Sequence, residues 1–447
     1  MIGARAARRV RPRETMNAAA FDASPAADGA ARRARILALV VLAAIVFNFV
    51  LCFVNANIFR TSAAVVMLAE VVLVAIALFI AAGARTLDLS MILLVFLAYM
   101  VLLGALQGGF DPKPARDIVI PLVFYFAALR AGSPRMGDRI VTAAVAIVLV
   151  VGLFEYLFLK QYTKYFDILG YYISRGSVHS AAAELAGGDR LFASGMRYEG
   201  RTLRPFLGEH RVSSVFLEPV SVGNFGAICF AWIVLRHWRR PAQMALRLVP
   251  VLAVFVFADA RFGLTVSLLS LLIFPLARFV GRPLLALTPL LVVLGLATAG
   301  FLYPDTAWDN TTRGRLLLSG QMLSNLSPME AFALVRTDRF VSDSGYVYTF
   351  VKIGAAGFFM LWALYSFAPA ASSASWRFRV FIAAYITLLL TISNSIYSIK
   401  TAALAWYLVG ALDAPGAIRA LRRPRPVHAA DAAGDGGRLA PARRLAP

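Results

Sequence analysis

The stretch Gly208-Glu209-His210-Arg211-Val212-Ser213-Ser214-Val215-Phe216-Leu217-Glu218-Pro219 sets an arginine, a histidine and a carboxylate directly ahead of a long apolar run. Pro219 breaks the first turn of that run, which exposes backbone groups and turns Glu218 toward a cavity. Gly223 and Gly226 follow and permit close helix approach. Asp259-Ala260-Arg261-Phe262-Gly263 separates two further apolar runs, with a local ion pair between Asp259 and Arg261 as the plainer alternative to a ligand role. A third basic stretch carries Arg313, Arg315, Arg336 and Arg339 and ends in Asp343-Ser344-Gly345-Tyr346, where a carboxylate suits a helix cap as well as a base. Planar guanidinium forks match phosphate oxygens and bind them best when partly desolvated. Arginines and carboxylates drawn from separate segments therefore point to a polyanionic, diphosphate-bearing ligand reached from the membrane, a description that a lipid diphosphate fits.

The elements that must position these residues follow from composition. The chain has 447 residues, 60% of them hydrophobic and only 15% charged, with a mean hydropathy of +0.72. A soluble surface needs roughly a quarter charged residues, so the bilayer is the solvent. The expected fold is an all-α polytopic bundle. Apolar runs fall at about 36–54, 61–82, 89–106, 118–131, 140–158, 213–235, 245–258, 263–279, 284–303, 347–366, 379–393 and 397–412, which predicts about twelve transmembrane helices. With the N-terminus inside, the inner connections hold Arg130, Arg135 and Arg139, then Arg236, Arg239, Arg240 and Arg247, then Arg278 and Arg282. Every inner connection is basic, and an even helix count returns the C-terminus to the cytoplasm. Two long loops, about 159–212 and 304–346, then lie outside, and loops of that length are usually functional. Within the second, Ser327, Pro328 and Glu330 form a capping-box pattern that predicts a short surface helix.

The net charge of +21 sits in the tails and short connections, which fits anionic headgroups rather than nucleic acid. Residues 1–35 and 413–447 read as disordered basic cytoplasmic tails flanking a helical domain over 36–412. The arginine-rich start also resembles a transit peptide, but the same basic bias recurs along the whole chain. Cys52 and Cys229 lie in apolar runs, and the four histidines show no metal-ligand spacing, so neither a metal nor a cofactor is expected. Charged groups at membrane depth are costly unless paired or wet. Glu70 reads as an interior group bonded to a neighbouring helix, Glu155 and Lys352 as helix-end groups that snorkel to water, and Lys400 as an interfacial anchor. No matching halves of the transporter kind are visible.

These residues resemble those of the bacterial Wzy-type polysaccharide polymerases and the related O-antigen ligases. Arg211 with Glu218-Pro219 matches the arginine and Glu-Pro helix start of that family, Arg261 its hairpin arginine, and Arg313 an arginine early in its large loop. Asp343-Ser344, nine residues, Gly354, two residues and Gly357 keep the spacing of the last motif. Aspartate stands where the ligases have histidine, which favours a polymerase. Ala331-Phe332-Ala333-Leu334-Val335 replaces the usual Gly-rich element, and the paired Arg-and-Gly loop motifs of some polymerases do not match. The resemblance implies a multi-pass protein of the bacterial inner membrane that joins undecaprenyl-diphosphate-linked oligosaccharides at the periplasmic face. No metal is needed, and a chain-length regulator and a flippase are the implied partners. Arg211 and Arg261 would hold the leaving diphosphate with Arg313 or Arg336 assisting, and either Glu218 or Asp343 would accept the acceptor's proton. A ligase-like glycan transferase and a transporter or flippase of lipid-linked sugars are the alternatives.

Overall fold

A computed structural model describes residues 25–83, 86–179, 190–191, 193–197, 200–305, 311–337 and 344–415, and within these the chain is helical without named strands. The helices are α1 Pro25–Asn57, α2 Ala63–Ala81, α3 Thr86–Leu106, α4 Pro112–Ala131, α5 Pro134–Leu157 and the short α6 Leu159–Tyr165 and α7 Ile168–Ser174. Next come α8 Pro219–His237, α9 Pro241–Ala258, α10 Arg261–Leu276, α11 Arg282–Leu302, α12 Thr312–Ser324 and α13 Pro328–Ala331. The last four are α14 Gly345–Ile353, α15 Ala355–Phe367, α16 Ser373–Leu389 and α17 Ile399–Asp413. Residues 25–35, read from sequence as tail, begin α1, because alanine and arginine are strong helix formers. The remainder of both tails lies outside the described residues.

Every predicted apolar run falls on a helix, but the runs differ in how well they satisfy a bilayer. Eight helices are long and apolar enough to cross one: α1, α2, α3, α5, α8, α9, α10 with the turn that follows it, and α11. The α14–α15 pair passes only jointly and is bent by 107°. With 17 and 15 residues, α16 and α17 reach about 25 and 22 Å at 1.5 Å per residue, short of a ~30 Å hydrocarbon core. In α4 the charges of Lys113, Arg116, Asp117 and Arg130 lower the hydropathy. α17 falls short by length alone and is largely buried by protein.

At the centre stands α8, 83% of whose apolar window is buried. Its glycines set its distance from its neighbours. A Cβ on Gly226 would meet the Phe255 ring of α9 at 2.6 Å, and one on Gly263 of α10 would meet the Gly223 carbonyl oxygen at 2.3 Å. The α8–α10 crossing thus brings the turn that holds Asp259 and Arg261 against the start of α8. A second glycine pair explains the bend in the last motif. Gly354 adopts φ 81° at the break between α14 and α15, and Tyr99 of α3 donates to the Ile353 carbonyl at 2.9 Å while its ring lies against Gly357.

The Gly223 oxygen is backbone and cannot yield to a new methyl. Gly263→Ala is therefore expected to cost about 1–3 kcal/mol, read as a lower melting temperature in detergent, whereas Gly295→Ala, which meets open space, should leave it unchanged.

Candidate functional site

Two backbone registers assemble the first loop. Arg211 N donates to the Gly195 carbonyl at 2.8 Å and Arg197 N to the Glu209 carbonyl at 3.0 Å, around an isolated Met196–His210 bridge. Arg197 and Arg211 are thereby set on paired strands of chain. Val212 N then donates to the Phe257 carbonyl at 3.0 Å, docking this hairpin onto the end of α9.

The end of α9 is where the arginines meet. Its last carbonyls lack intrahelical donors, and Arg201 supplies them: its guanidinium bonds Val256 O, Phe257 O at 3.0 Å and His210 O at 2.8 Å. Arg211 continues the same cap through Ala258 O at 3.2 Å and Asp259 O at 3.4 Å, and reaches Ser194 O at 3.0 Å. Asp259 sits in the left-handed region at φ 46°. Its carboxylate receives Leu203 N at 2.7 Å and the Arg197 guanidinium. The Asp259–Arg261 ion pair considered from sequence is thus absent, since the fully buried carboxylate is already taken by Arg197. Arg261 opens α10, exposed, with no side-chain hydrogen bond among the described residues. Burial, then the neighbouring charges of Arg197, Arg261 and Arg201, push the Arg211 guanidinium down to about 10, against the pull of Asp259. Arg197 bonds the Asp259 carboxylate, Arg201 and Arg211 lie within its electrostatic reach and Arg261 near Arg211, which leaves a net positive charge that an anion would relieve. Arg201 Nε, buried without an acceptor among the described residues, is a further donor there.

Glu218 faces elsewhere. It is buried as the residue before α8, accepts from the Tyr172 hydroxyl and from Ser221 Oγ at 3.1 Å, and lies near Lys400, whose ammonium donates to the Phe216 carbonyl at 3.0 Å. Arg175 stacks over Tyr172 at 4.3 Å. Burial opposes the Glu218 charge, but Lys400, the Tyr172 hydroxyl and Arg175 together hold its carboxyl below the usual range. It is therefore an ionised carboxylate at neutral pH. Lys400, expected to anchor at the surface, is only 4% exposed and works inside this cluster. Glu155, expected to snorkel, is fully buried and receives Ser213 N at 2.9 Å, Ser214 N at 2.5 Å and His210 Nε2 at 3.1 Å. It thereby fixes the chain between Arg211 and Glu218.

Arg313 and Arg336 do not join the arginine cluster, and Arg339 lies outside the described residues. Arg313 is exposed in the first turn of α12, which packs chiefly on α11, and Arg336 is exposed beyond α13, which packs on α14. Neither makes a hydrogen bond or ion pair among the described residues. Asp343 lies outside the described residues, and the cap of α14 is Ser344, which accepts Val347 N at 3.4 Å. The expected capping box of Ser327 and Glu330 is formed. Glu70 has a partner that sequence spacing did not show: Arg116 of α4 bonds it at 2.5 Å and Asp117 at 2.7 Å, and Tyr348 donates to Asp117 at 2.8 Å. Lys352 faces Asp111 at 3.4 Å. Asp117, Tyr397, Arg379 and Asp413 are polar residues in the lining of an apolar cavity of about 1080 Å³ between α4 and α15. Among the described residues, no three His, Cys, Asp or Glu side chains gather as a metal site requires.

Two substitutions check this account. Replacing Glu155 by Leu leaves the Ser213 and Ser214 amides buried without an acceptor, at an expected cost of about 3 kcal/mol in thermal unfolding. Glu218→Gln strands the Lys400 ammonium and should also destabilise by about 3 kcal/mol, whereas adding Lys400→Met should recover most of that loss. An additive double mutant would contradict the coupling.

Against known proteins, no family model matches the chain, and no curated protein or solved structure is significantly similar to it.

Proposed function

We propose that this chain is a membrane-embedded glycan transferase that polymerises oligosaccharide repeat units carried on undecaprenyl diphosphate, at the periplasmic face of the bacterial inner membrane. The reading assigns twelve crossings, with α4, α14–α15, α16 and α17 added to the eight long apolar helices and both termini cytoplasmic. The observation that carries it is the gathering of Arg197, Arg201 and Arg211 of one hairpin and Arg261 of the α9–α10 turn at the end of α9, with the other three within electrostatic reach of Arg211. Arg211 and Arg261 were expected to share a site, and their proximity supports a polyanion at that end of the bundle. The apolar cavity beside α4 and α15 supports a lipid-borne ligand, because a hydrocarbon chain gains about 0.8 kcal/mol for each CH₂ taken out of water.

In this reaction the hydroxyl oxygen of one repeat unit attacks the anomeric carbon of another. The bond from that carbon to the diphosphate breaks, and undecaprenyl diphosphate leaves with the electron pair. Negative charge grows on the departing oxygen, where guanidinium groups in a low-dielectric rim act most strongly. Arg261 is the free fork for that task, while Arg211 and Arg201 spend most of their donors on the end of α9. The displaced proton passes to a carboxylate. Glu218 and Asp343 are the two candidates, with Glu218 the one held ionised by its neighbours. Arg313 and Arg336 are retained only as outer contacts for the glycan.

A transporter of the same lipid-linked sugar is the second reading, favoured by the buried Glu70–Arg116–Asp117 chain, whose Asp117 borders the cavity. Incubating the purified protein with a defined lipid-diphosphate repeat unit separates the cases. A ladder of products supports the polymerase, a single transfer to a lipid A core acceptor supports a ligase, and translocation without new glycosidic bonds supports the transporter. Arg261→Lys keeps the charge but loses the bidentate fork, so turnover should fall by about 100-fold or more with the melting temperature unchanged. Ladders of wild-type yield from that variant would remove Arg261 from the site.

A further inference from the structure

Lys113, Asp117, Pro121, Tyr125 and Leu129 form a row along one face of α4, because side chains four residues apart stand above one another on a helix. The last four line the apolar cavity, over about 18 Å at 1.5 Å per residue. An apolar space of about 1080 Å³ stays dry, and left empty it forfeits dispersion contacts along its whole wall, so hydrocarbon fills it. Polar groups in the wall are already satisfied by protein. Asp117 accepts from Arg116 at 2.7 Å and from Tyr348 at 2.8 Å, the Tyr397 hydroxyl bonds Thr349 at 2.6 Å, and Asp413 accepts from Arg379 at 2.6 Å. At the end where α4 begins, the row continues in Lys113. This residue is exposed, and its ammonium lies 4.8 Å over the Tyr348 ring with no hydrogen bond or ion pair among the described residues. The acidic neighbours have other partners, Asp117 in Arg116 and Asp111 in Lys352 at 3.4 Å. A slot for a hydrocarbon chain thus ends at a cation outside any ion pair. No residue of its wall belongs to the hairpin, α9 or α10, where the arginine cluster stands, so slot and cluster are separate.

We propose that this slot holds the lipid carrier of the acceptor unit, its hydrocarbon chain along α4 and α15 and its phosphate at Lys113, while the arginine cluster takes the diphosphate of the donor. The inference rests on the polymerase reading of the chain. That reaction needs two carriers at once. One leaves as the diphosphate, and the other stays on the unit whose hydroxyl attacks. The second carrier must stand off from the bond being broken by the length of its own oligosaccharide, which a separate slot allows.

Native mass spectrometry of the purified full chain with farnesyl diphosphate counts the sites. Wild type should carry two equivalents. Ala363→Trp fills the slot from the α15 side and should leave one. Lys113→Gln alters only an exposed side chain, so the fold should be kept while the same equivalent weakens by about tenfold, the worth of one charge-assisted contact. Arg261→Gln should lose the other equivalent, and Arg261→Gln combined with Ala363→Trp should leave none. Phosphatidylglycerol at the same concentration should displace neither. A single equivalent on wild type, or two that withstand both Ala363→Trp and Lys113→Gln, overturns the slot. Loss of the slot's equivalent to phosphatidylglycerol overturns it too, since the site is then one for bilayer phospholipid. Wild type that binds no farnesyl diphosphate overturns the lipid-diphosphate reading itself, a different failure seen before any variant is made.

Discussion

The last carbonyls of α9 need donors, and at the rim of a membrane bundle water is a poor place to seek them. Arg201 and Arg211 fill that need from a loop more than forty residues upstream in the chain, docking the hairpin of residues 195–211 onto the helix end. A helix C-terminus carries partial negative charge, so guanidinium groups are favoured there twice, as donors and as cations. Once two arginines are buried in that position, a counter-charge becomes necessary, and Asp259 supplies it while recruiting Arg197. The cluster is thus a structural solution first. Its surplus of positive charge and the exposed fork of Arg261 are what an approaching anion would meet.

The same logic of satisfied polar groups runs across this end of the molecule. Glu155 takes the amides that a broken helix start leaves open at Ser213 and Ser214. Lys400 takes the Phe216 carbonyl of the same irregular turn and balances Glu218. Irregular backbone survives near a bilayer only when protein groups satisfy it, and here the residues that do so are charged. They tie α5, α8 and α17 to one short segment, so that the distance between the arginine cluster and Glu218 is set by rigid helices rather than by loop conformation. Preorganisation of that kind keeps electrostatic groups from reorienting as charge moves.

The cavity beside α4 and α15 arises from two local features. Gly354 turns the chain sharply between α14 and α15, and α3 packs chiefly against α4, which leaves the inner half of α15 lined by apolar side chains that face a space and not a neighbour. The polar chain from Tyr348 through Asp117 and Arg116 to Glu70 borders that space at Asp117.

The amino-acid sequence by itself determined the helices, their number of apolar runs and several of their local breaks. Those depend on properties carried by neighbouring residues: the length of an apolar stretch, the fixed φ of Pro219, the positive φ open to Gly354, the missing Cβ atoms of Gly223 and Gly226. Arg211 and Arg261 could both be read as flanking the end of such a run. The partners of the charges could not be read. Glu155 and Lys400 look like surface groups when only their distance from a helix end is known, and Asp259 looks paired with Arg261 because the two are adjacent. Tertiary structure decided otherwise, giving Glu155 to two amides, Lys400 to a carbonyl, Glu70 to Arg116 and Asp259 to Arg197, and it left Arg313 and Arg336 apart. Charge pairing is a through-space property of helix rotation and crossing, and a sequence pattern specifies which face of a helix is apolar without specifying which charged group on another helix will stand opposite it.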